Sequence, residues 1–497
     1  MRKDRVECTL GEIFNITYGK GLPIKKLTDE GFPVFGANGV IGYYSEYKYK
    51  DEQVLISCRG AASGTINMSP KECFVTNNSL IVEIGEKVSL IKKYLYFMLS
   101  GANRSKIITG SAQPQVTINN AITLIIPIAP LPEQRAIVVK IEELFSSLDS
   151  GIADLKKAQE QLKIYRQAVL KKAFEGELTK EWRAKQTNLP KAEELLEQIK
   201  VERQNHYNQQ IKDWEKALKT WNEKDNGFRS YTKPKKWKDI SPLTEEEKKN
   251  LFKLQQGISW RKIGETCVVK GGKRLPKGHS FSKEETSYSY IMAGNLKDGT
   301  VAKQVNFIKE ETYNALYHYR VDAGNVYITI VGACIGDAGV VPEFHHLSIL
   351  TENAAKIITT KSLFSKYLAF WLNSLVAQIR IKENIFSATL GKLALSRIEE
   401  LEFPFCSLQE QHQIVQEIES RLSVCDKVEE SIVESLEKSK ALRQSILKKA
   451  FEGRLLNEQE LAACKATPDY EPASVLLERI KKEKASSNKS AVVKKNK

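Results

Sequence analysis

LPEQRAIVVKIEELF (131–145), running on to VLKKAFEGEL (169–178), returns as LQEQHQIVQEIES (408–420) and ILKKAFEGRL (446–455), at a constant offset of 277 and without a gap. In the first copy Ile137, Ile141, Leu144, Leu148, Leu155, Leu162, Tyr165 and Val169 recur at steps of three, four or their sum. Ile414, Ile418, Leu422, Cys425, Ile432, Leu442 and Ile446 follow nearly the same spacing in the second. An apolar seam near 3.5 residues per turn, held over about six heptads, predicts long helices that pair as a coiled coil. A lone helix of this length would leave its stripe in water. The natural partner of each copy is the other, and an antiparallel pair is expected.

The repetition extends outward from the helices. Gly11, Gly19, Lys20, Leu22 and Pro23 match Gly264, Gly272, Lys273, Leu275 and Pro276 at an offset of 253. Ile56, Gly60 and Gly64 match Ile328, Gly332 and Gly336; Tyr94, Leu95, Phe97 and Leu99 match Tyr367, Leu368, Phe370 and Leu372; Pro127 falls on Pro404. Beyond the helices, Ala192, Leu195, Leu196, Glu197 and Ile199 answer Ala473, Leu476, Leu477, Glu478 and Ile480. The offset drifts only inside the globular parts, as it does when a duplicated scaffold keeps its elements and varies its loops. VLISCRG (54–60), CFVTNNSLIVEI (73–84) and ITLIIPI (122–128) read as strands, and KKYLYFML (92–99) as a helix. The expected fold is α+β with a pseudo-twofold internal repeat. Its segments are a mixed domain of short strands at 1–130, a long helix at 131–178 and a charged helical connector at 179–256. A second mixed domain at 257–407, a second long helix at 408–455, and a short helix with a basic tail at 456–497 complete it.

Composition narrows the partners. The formal charge is +15, and KKEKASSNKSAVVKKNK (481–497) alone holds seven lysines against one glutamate, a segment expected to be disordered. The surplus favours a polyanion and salt-sensitive association. No apolar run is long enough to cross a bilayer, and the polar start MRKDRVECTLGE reads as no signal peptide. Eight cysteines without a CxxC pair argue against a zinc framework or a secreted disulfide scaffold. A cytoplasmic, reducing location is expected.

Two variable globular halves, each closed by a lead-in (IPIAPLPEQ, 126–134; FPFCSLQEQ, 403–411) and a long helix ending KKAFEGxL, resemble the specificity subunit of type I restriction–modification systems. EPASVLLERI (471–480) adds to the likeness, which runs from Gly11 to Ile480; Cys406 and Ser407 stand where prolines are usual, and the connector is long. The resemblance implies a prokaryotic, non-catalytic DNA-binding subunit. Each half would be a target recognition domain reading one half of a bipartite, asymmetric site in double-stranded DNA. The helical pair would set the spacing and dock two methyltransferase subunits, with motor-nuclease subunits joining for cleavage. S-adenosylmethionine, ATP and magnesium would belong to those partners, with no cofactor or metal in this chain.

Enzymatic readings find little support in the residues. There is no [DN]PP[YF] stretch for adenine methylation and no GxxxxGK[ST] phosphate loop, Gly391-Lys392 lacking the preceding glycine. Asp239, Glu246 and Lys248 could imitate a nuclease trio but lie in a polar stretch with no strand to hold them. Ser63 lacks the GxSxG order of a nucleophile elbow and is expected in a tight turn. His345-His346, with no third ligand, are expected as surface or turn residues pointing to opposite sides of a strand. The tryptophans and Tyr43-Tyr44 are expected to fill cores or helix interfaces rather than to stack on flipped bases.

Base edges are read mostly by Arg, Lys, Asn and Gln, and phosphates by cations and hydroxyls. Candidates in the first half are Lys20, Lys25, Lys26, Arg59, Arg104, Lys106, Gln113 and Gln115, the last two in the polar loop GSAQPQ (110–115). Lys273, Arg274, Lys277, His279, Arg380, Lys382, Asn384 and Ser387 fill comparable places in the second. Gly19 and Gly272 are expected to serve turn geometry. The alternative is a coiled-coil adaptor whose globular halves bind other proteins.

Overall fold

Both long helices form, each of 44 residues, Leu131–Phe174 and Leu408–Phe451. The computed structural model describes residues 5–84, 91–110, 113–190, 192–220, 233–234, 236–386 and 391–495. Each rod stops four residues short of the predicted 178 and 455, because a glycine in the left-handed region follows it: Gly176 at φ 77° and Gly453 at φ 82°. There Gly176 N donates to Ala173 O and Glu177 N to Lys172 O, and Gly453 N and Arg454 N do the same to Ala450 O and Lys449 O. Such a closure occupies the last carbonyls and turns the chain away.

The chain divides into two compact units, Met1–Lys157 with Ser431–Lys497, and Ala158–Glu430. The division cuts both rods, so each unit owns part of each. In the first unit Arg443 bridges Asp149; in the second Arg166 bridges Asp426 at 2.7 Å and Glu429 at 2.9 Å. Asp149 and Asp426 are equivalent at the offset of 277, as are Arg166 and Arg443. In each unit the aspartate thus meets a residue 17 positions away in the repeat, about 25 Å along a helix, which the two rods can bring together when they run antiparallel but not when they run parallel.

Ile137, Ile141, Val169, Ile414, Ile418, Cys425, Ile432 and Ile446 are buried, and Leu144, Leu148, Leu155, Leu162 and Leu422 are half-buried. Leu442 departs from the predicted seam: it is 50 % exposed, and its equivalent Tyr165 is 49 % exposed. A straight α-helix drifts ~20° per heptad from a 3.5-residue repeat. Four heptads beyond Ile137 the drift reaches about 80°, which turns Tyr165 outward and brings Arg166 to the contact face. The buried stripe therefore follows 3.6 residues per turn and ends on Ala173 and Ala450, both fully buried.

In the first unit Asn15–Tyr18, Ser79–Glu83, Val54–Ser57 and Ile66–Met68 form an antiparallel four-stranded sheet in that order. Val40–Tyr44, Phe32–Phe35 and Phe74–Val75 form a smaller sheet, and Val6–Thr9 pairs with Ile125–Ile128, the strand that delivers the chain to the first rod. The second unit repeats the order with Cys267–Gly271, Ala354–Thr359, Val326–Thr329 and Ala338–Val340. Its smaller sheet is Asn306–Phe307, Ser289–Ile291 and Ile349–Leu350, and Ser259–Lys262 pairs with Glu402–Phe405.

The cores show what the connector does. The helix Ala192–Thr220 places Ala192, Leu195 and Ile199 against Leu170, Phe174, Ile263, Tyr367 and Trp371 in the second unit. In the first unit the helix Ala473–Lys495 places Leu476, Leu477 and Ile480 against Leu10, Tyr94, Ile137 and Leu447. The basic end expected to be disordered is thus helical to Lys495. Lys484 donates to the carbonyls of Gly11 and Phe14, and Lys481 lies 3.1 Å from Glu12.

The LxEQ motif fastens each rod to its domain. Gln134 accepts from Ile91 N and donates to Ala129 O; Gln411 accepts from Phe364 N and donates to Ser362 O and Cys406 O. Both amides are fully buried. Glu133 is paired with buried Arg5, which also donates to Ala450 O at the far end of the other rod. Glu410 is paired with Arg183, which donates to Gly176 O.

Candidate nucleic-acid interface

The central strand of each large sheet, Val54–Ser57 or Val326–Thr329, is wholly buried and ends at a glycine-flanked turn. Gly60 and Gly64 have φ of 78° and 83°, Gly332 and Gly336 of 107° and 97°, conformations that an L side chain resists. Three segments meet at each strand end. Cys58 N donates to Asn78 O (2.9 Å) and Val116 N to Cys58 O (3.1 Å). In the second unit Ile330 N donates to Asn353 O (2.8 Å) and Leu393 N to Ile330 O (3.0 Å). Gly19 and Gly272 bring a fourth strand alongside. Neither has positive φ; a Cβ there would strike the carbonyl oxygens of Thr76 or Thr351. Close backbone approach, not the turn geometry expected, is what demands glycine.

Several predicted side chains collect around the first junction. Arg59 bridges Gln115 through the backbone, as does Thr109, and both Arg59 and Gln115 are exposed. Ser63 lies in the turn, its hydroxyl donating to Pro114 O (2.6 Å), so the loop carrying exposed Gln113 is fastened to it. Ile108 packs over Gly64, and the turn Arg104–Ile107 places Lys106 in solvent while Arg104 is half-buried. Burial pulls the Arg104 guanidinium below its usual range. Lys20, exposed, donates its backbone N–H to Val75 O, whereas Lys25 and Lys26 stand on the turn Ile24–Lys26.

The second unit brings fewer of its candidates together. Arg274 is tied to Glu352 at 3.5 Å, His279 Nδ1 shares a hydrogen bond with Thr312 Oγ1 (2.7 Å), and Lys273 lies over Tyr319. Lys277 is exposed. Arg380 and Lys382 are on the helix Leu375–Glu383, whose Gln378 and Ile381 pack over Gly336 where Ile108 sits in the first unit. Arg380 is engaged by Glu383 and by Asn250 O, and Asn384 donates back to Arg380 O. Ser387 lies outside the described residues. Sequence reasoning missed Lys392, which bridges Val331 at the place where Gln115 bridges Arg59. The combined offsets of 272 and 277 in the repeat would have found it.

The remaining singled-out residues build structure. His345, expected as a surface or turn residue, is in a turn but buried there, the short 3-10 turn Glu343–His345; its Nε2 is 2.8 Å from Ala302 O and its Nδ1 3.3 Å from Ser348 Oγ. His346 accepts from Ala323 N, so neither histidine sits on a strand. Glu246 and Lys248 occupy the five-residue helix Glu245–Lys249, and Lys248 pairs with Glu245. Trp260 and Trp371 pack with Phe252 and Phe174 in the second core. Burial pushes the Cys8 thiol up to about 12 and Cys73 up to about 11, far from thiolate at neutral pH. Among the described residues no cluster of histidine, cysteine and carboxylate side chains could hold a metal.

A family model described as the type I restriction modification DNA specificity domain matches residues 3–163 and 256–438. The type I restriction enzyme EcoBI specificity subunit of Escherichia coli is 24% identical over 494 residues, covering 96% of this chain and 92% of that one. The EcoKI specificity subunit of Escherichia coli strain K12 is 24% identical over 505 residues, covering 96% and 93%. Among solved structures, a chain from work on complex assembly and conformational transition of a type I R-M system superposes with a TM-score of 0.61. Its sequence is 16% identical and the match covers 92% of this chain and 99% of that one, a likeness of fold.

Proposed function

This chain belongs to the type I restriction modification DNA specificity family, and on that premise we propose that it is the sequence-reading subunit of a restriction–modification complex acting on double-stranded DNA. Each globular domain reads one half of a bipartite, asymmetric site. The observation that carries this is the pair of three-segment junctions, alike in backbone hydrogen bonds and unlike in the side chains they display. A duplicated surface meant for one ligand would keep its side chains; two different half-sites require them to differ.

The rods serve as spacer and docking surface in this reading. A 44-residue helix is about 66 Å long, against ~34 Å for a turn of DNA. Val139, Ile164, Val424, Val428 and Val433 are exposed apolar residues along the rods, suited to packing against two methyltransferase subunits. The chain supplies no chemistry of its own; S-adenosylmethionine serves the methyltransferase subunits, and ATP with magnesium the motor-nuclease subunits. No helix of the described residues is long and apolar enough to cross a membrane, and the complex is proposed to work in the prokaryotic cytoplasm on host DNA.

The test is methylation-aware sequencing of DNA from cells carrying this chain with its methyltransferase partner. A modified motif of two short sequences separated by a fixed gap is expected. Methylation without such a motif, or binding of the complex to duplex DNA with no sequence preference at any salt concentration, would return the chain to the adaptor class.

A further inference from the structure

The geometry points to one pair of side chains per domain as the base-reading pair: Arg59 with Gln115 in the first, Val331 with Lys392 in the second. The inference rests on the DNA-reading function proposed above and names the residues that set its letters. Both pairs are isolated antiparallel bridges at the mouth of the same junction. They are equivalent in the duplicated scaffold, since Arg59 and Val331 follow the matched strands and Gln115 and Lys392 precede Val116 and Leu393, which make the same backbone bond. The scaffold is kept here and the side chains are changed.

Rigidity separates these positions from the other cations. Reading a base edge requires a side chain rooted to within about 0.5 Å, whereas a phosphate contact tolerates a mobile one. Arg59 and Val331 sit two residues past Ser57 and Thr329, on strands whose Ile56 and Ile328 are fully buried. Lys25 and Lys26 stand instead on a turn whose Ile24 is 82 % exposed. Commitment separates them too. Arg274 and Arg380 are held by Glu352 and Glu383, while no ion pair among the described residues holds Arg59 or Lys392. A Cβ placed on Gly60 or Gly332, next to Arg59 and Val331, would meet nothing within 4 Å.

The side chains then state a chemistry. Arginine pairs with O6 and N7 of guanine and glutamine with N6 and N7 of adenine, so the first pair suits adjacent purine edges in the major groove. Lysine also reads guanine, and a valine methyl packs against the 5-methyl of thymine. Exposed Lys106 and Lys382, on the elements that pack over Gly64 and Gly336, are suited to phosphate contacts.

Exchanging the pairs tests this in the full chain with its methyltransferase partner. V331R combined with K392Q should change one or two adjacent letters of one half-site. Methylation of the original sequence should fall about ten- to a hundred-fold, the discrimination of one or two base contacts. The other half-site should keep its letters, which also reports that the protein is folded; R59V with Q115K should do the converse. Should a double variant methylate nothing, Lys392→Gln alone, an exposed substitution, decides by the same readout. Both half-sites retained at rates within about twofold of the parent would overturn the assignment. A parent chain that yields no bipartite motif would overturn the functional reading instead.

Discussion

Glu133 and Glu410 are 3 % and 1 % exposed, deeper than most of the seam leucines, and each is matched by an arginine that reaches the end of the opposite rod. Breaking a buried ion pair by removing one partner strands the other charge, at a cost of about 3–5 kcal/mol. Glu133→Ala should therefore lower the unfolding free energy of the first unit, read from urea denaturation, by that amount, and Glu410→Ala that of the second. A loss below about 1 kcal/mol would mean that Arg5 finds water or another acceptor. The glutamates were legible as a motif, but their arginines were not: Arg5 and Arg183 are not equivalent in the repeat, so no offset joins them. Lys356 was equally hidden, standing where the first domain has Ile81. It pairs across the sheet with Tyr327, its ammonium donating to Arg320 O, with Asp322, Lys270 and Arg320 as the charges that act on it. Burial pulls its pKa from 10.5 to about 8. Between those values the unfolded chain holds a proton that the folded chain has released, so stability rises with pH across the window and is lost as pH falls through about 8. Lys356→Met should flatten that rise; identical slopes for parent and variant between pH 7.5 and 10 would refute the account.

At the scale of elements, the rods were the most legible part of the chain, because 44 residues of apolar periodicity overwhelm local exceptions. The exceptions have one cause. Counting in heptads placed Leu442 and Tyr165 on the seam, and the true period of 3.6 turned them out. The globular strands were visible as β-branched runs, yet the loops around the junctions were not, since bridges such as Val331 to Lys392 join residues 61 positions apart. The antiparallel register makes a spacer experiment specific. Adding one heptad at equivalent points of both rods rotates the contact face by only ~20° and lengthens the pair by about 10 Å, close to three base pairs at ~3.4 Å each. The modified motif should keep the letters of both half-sites and widen its gap by about three positions. Adding five residues to each rod turns the face by about 140° and should destabilise the protein instead. A heptad variant whose half-site letters changed would show that the rods do more than measure.

At the scale of the whole molecule, the chain's two ends make one unit: Met1–Lys157 folds with Ser431–Lys497, while the second unit is continuous. Reading along the sequence assigned a charged helical connector and a short helix with a basic tail, without a core for either, because contiguity is all that a linear reading offers. Each is in fact the last wall of a core, Ala192–Thr220 for the second domain and Ala473–Lys495 for the first. The consequence is directional. Removing residues 471–497 takes Leu476, Leu477 and Ile480 out of the first core, and with them the Lys484 bonds to the carbonyls of Gly11 and Phe14. Three such side chains are worth about 1.5–3 kcal/mol each, a sum comparable with the ~5–15 kcal/mol that holds a domain folded. Hydrogen exchange on the truncated chain should show protection lost from the N-terminal domain, more than 300 residues away in sequence, with the strands of the second unit unchanged. Protection lost first near the new C-terminus alone, with Val54–Ser57 and Ser79–Glu83 still slow, would mean that the terminal helix decorates the first core and does not complete it.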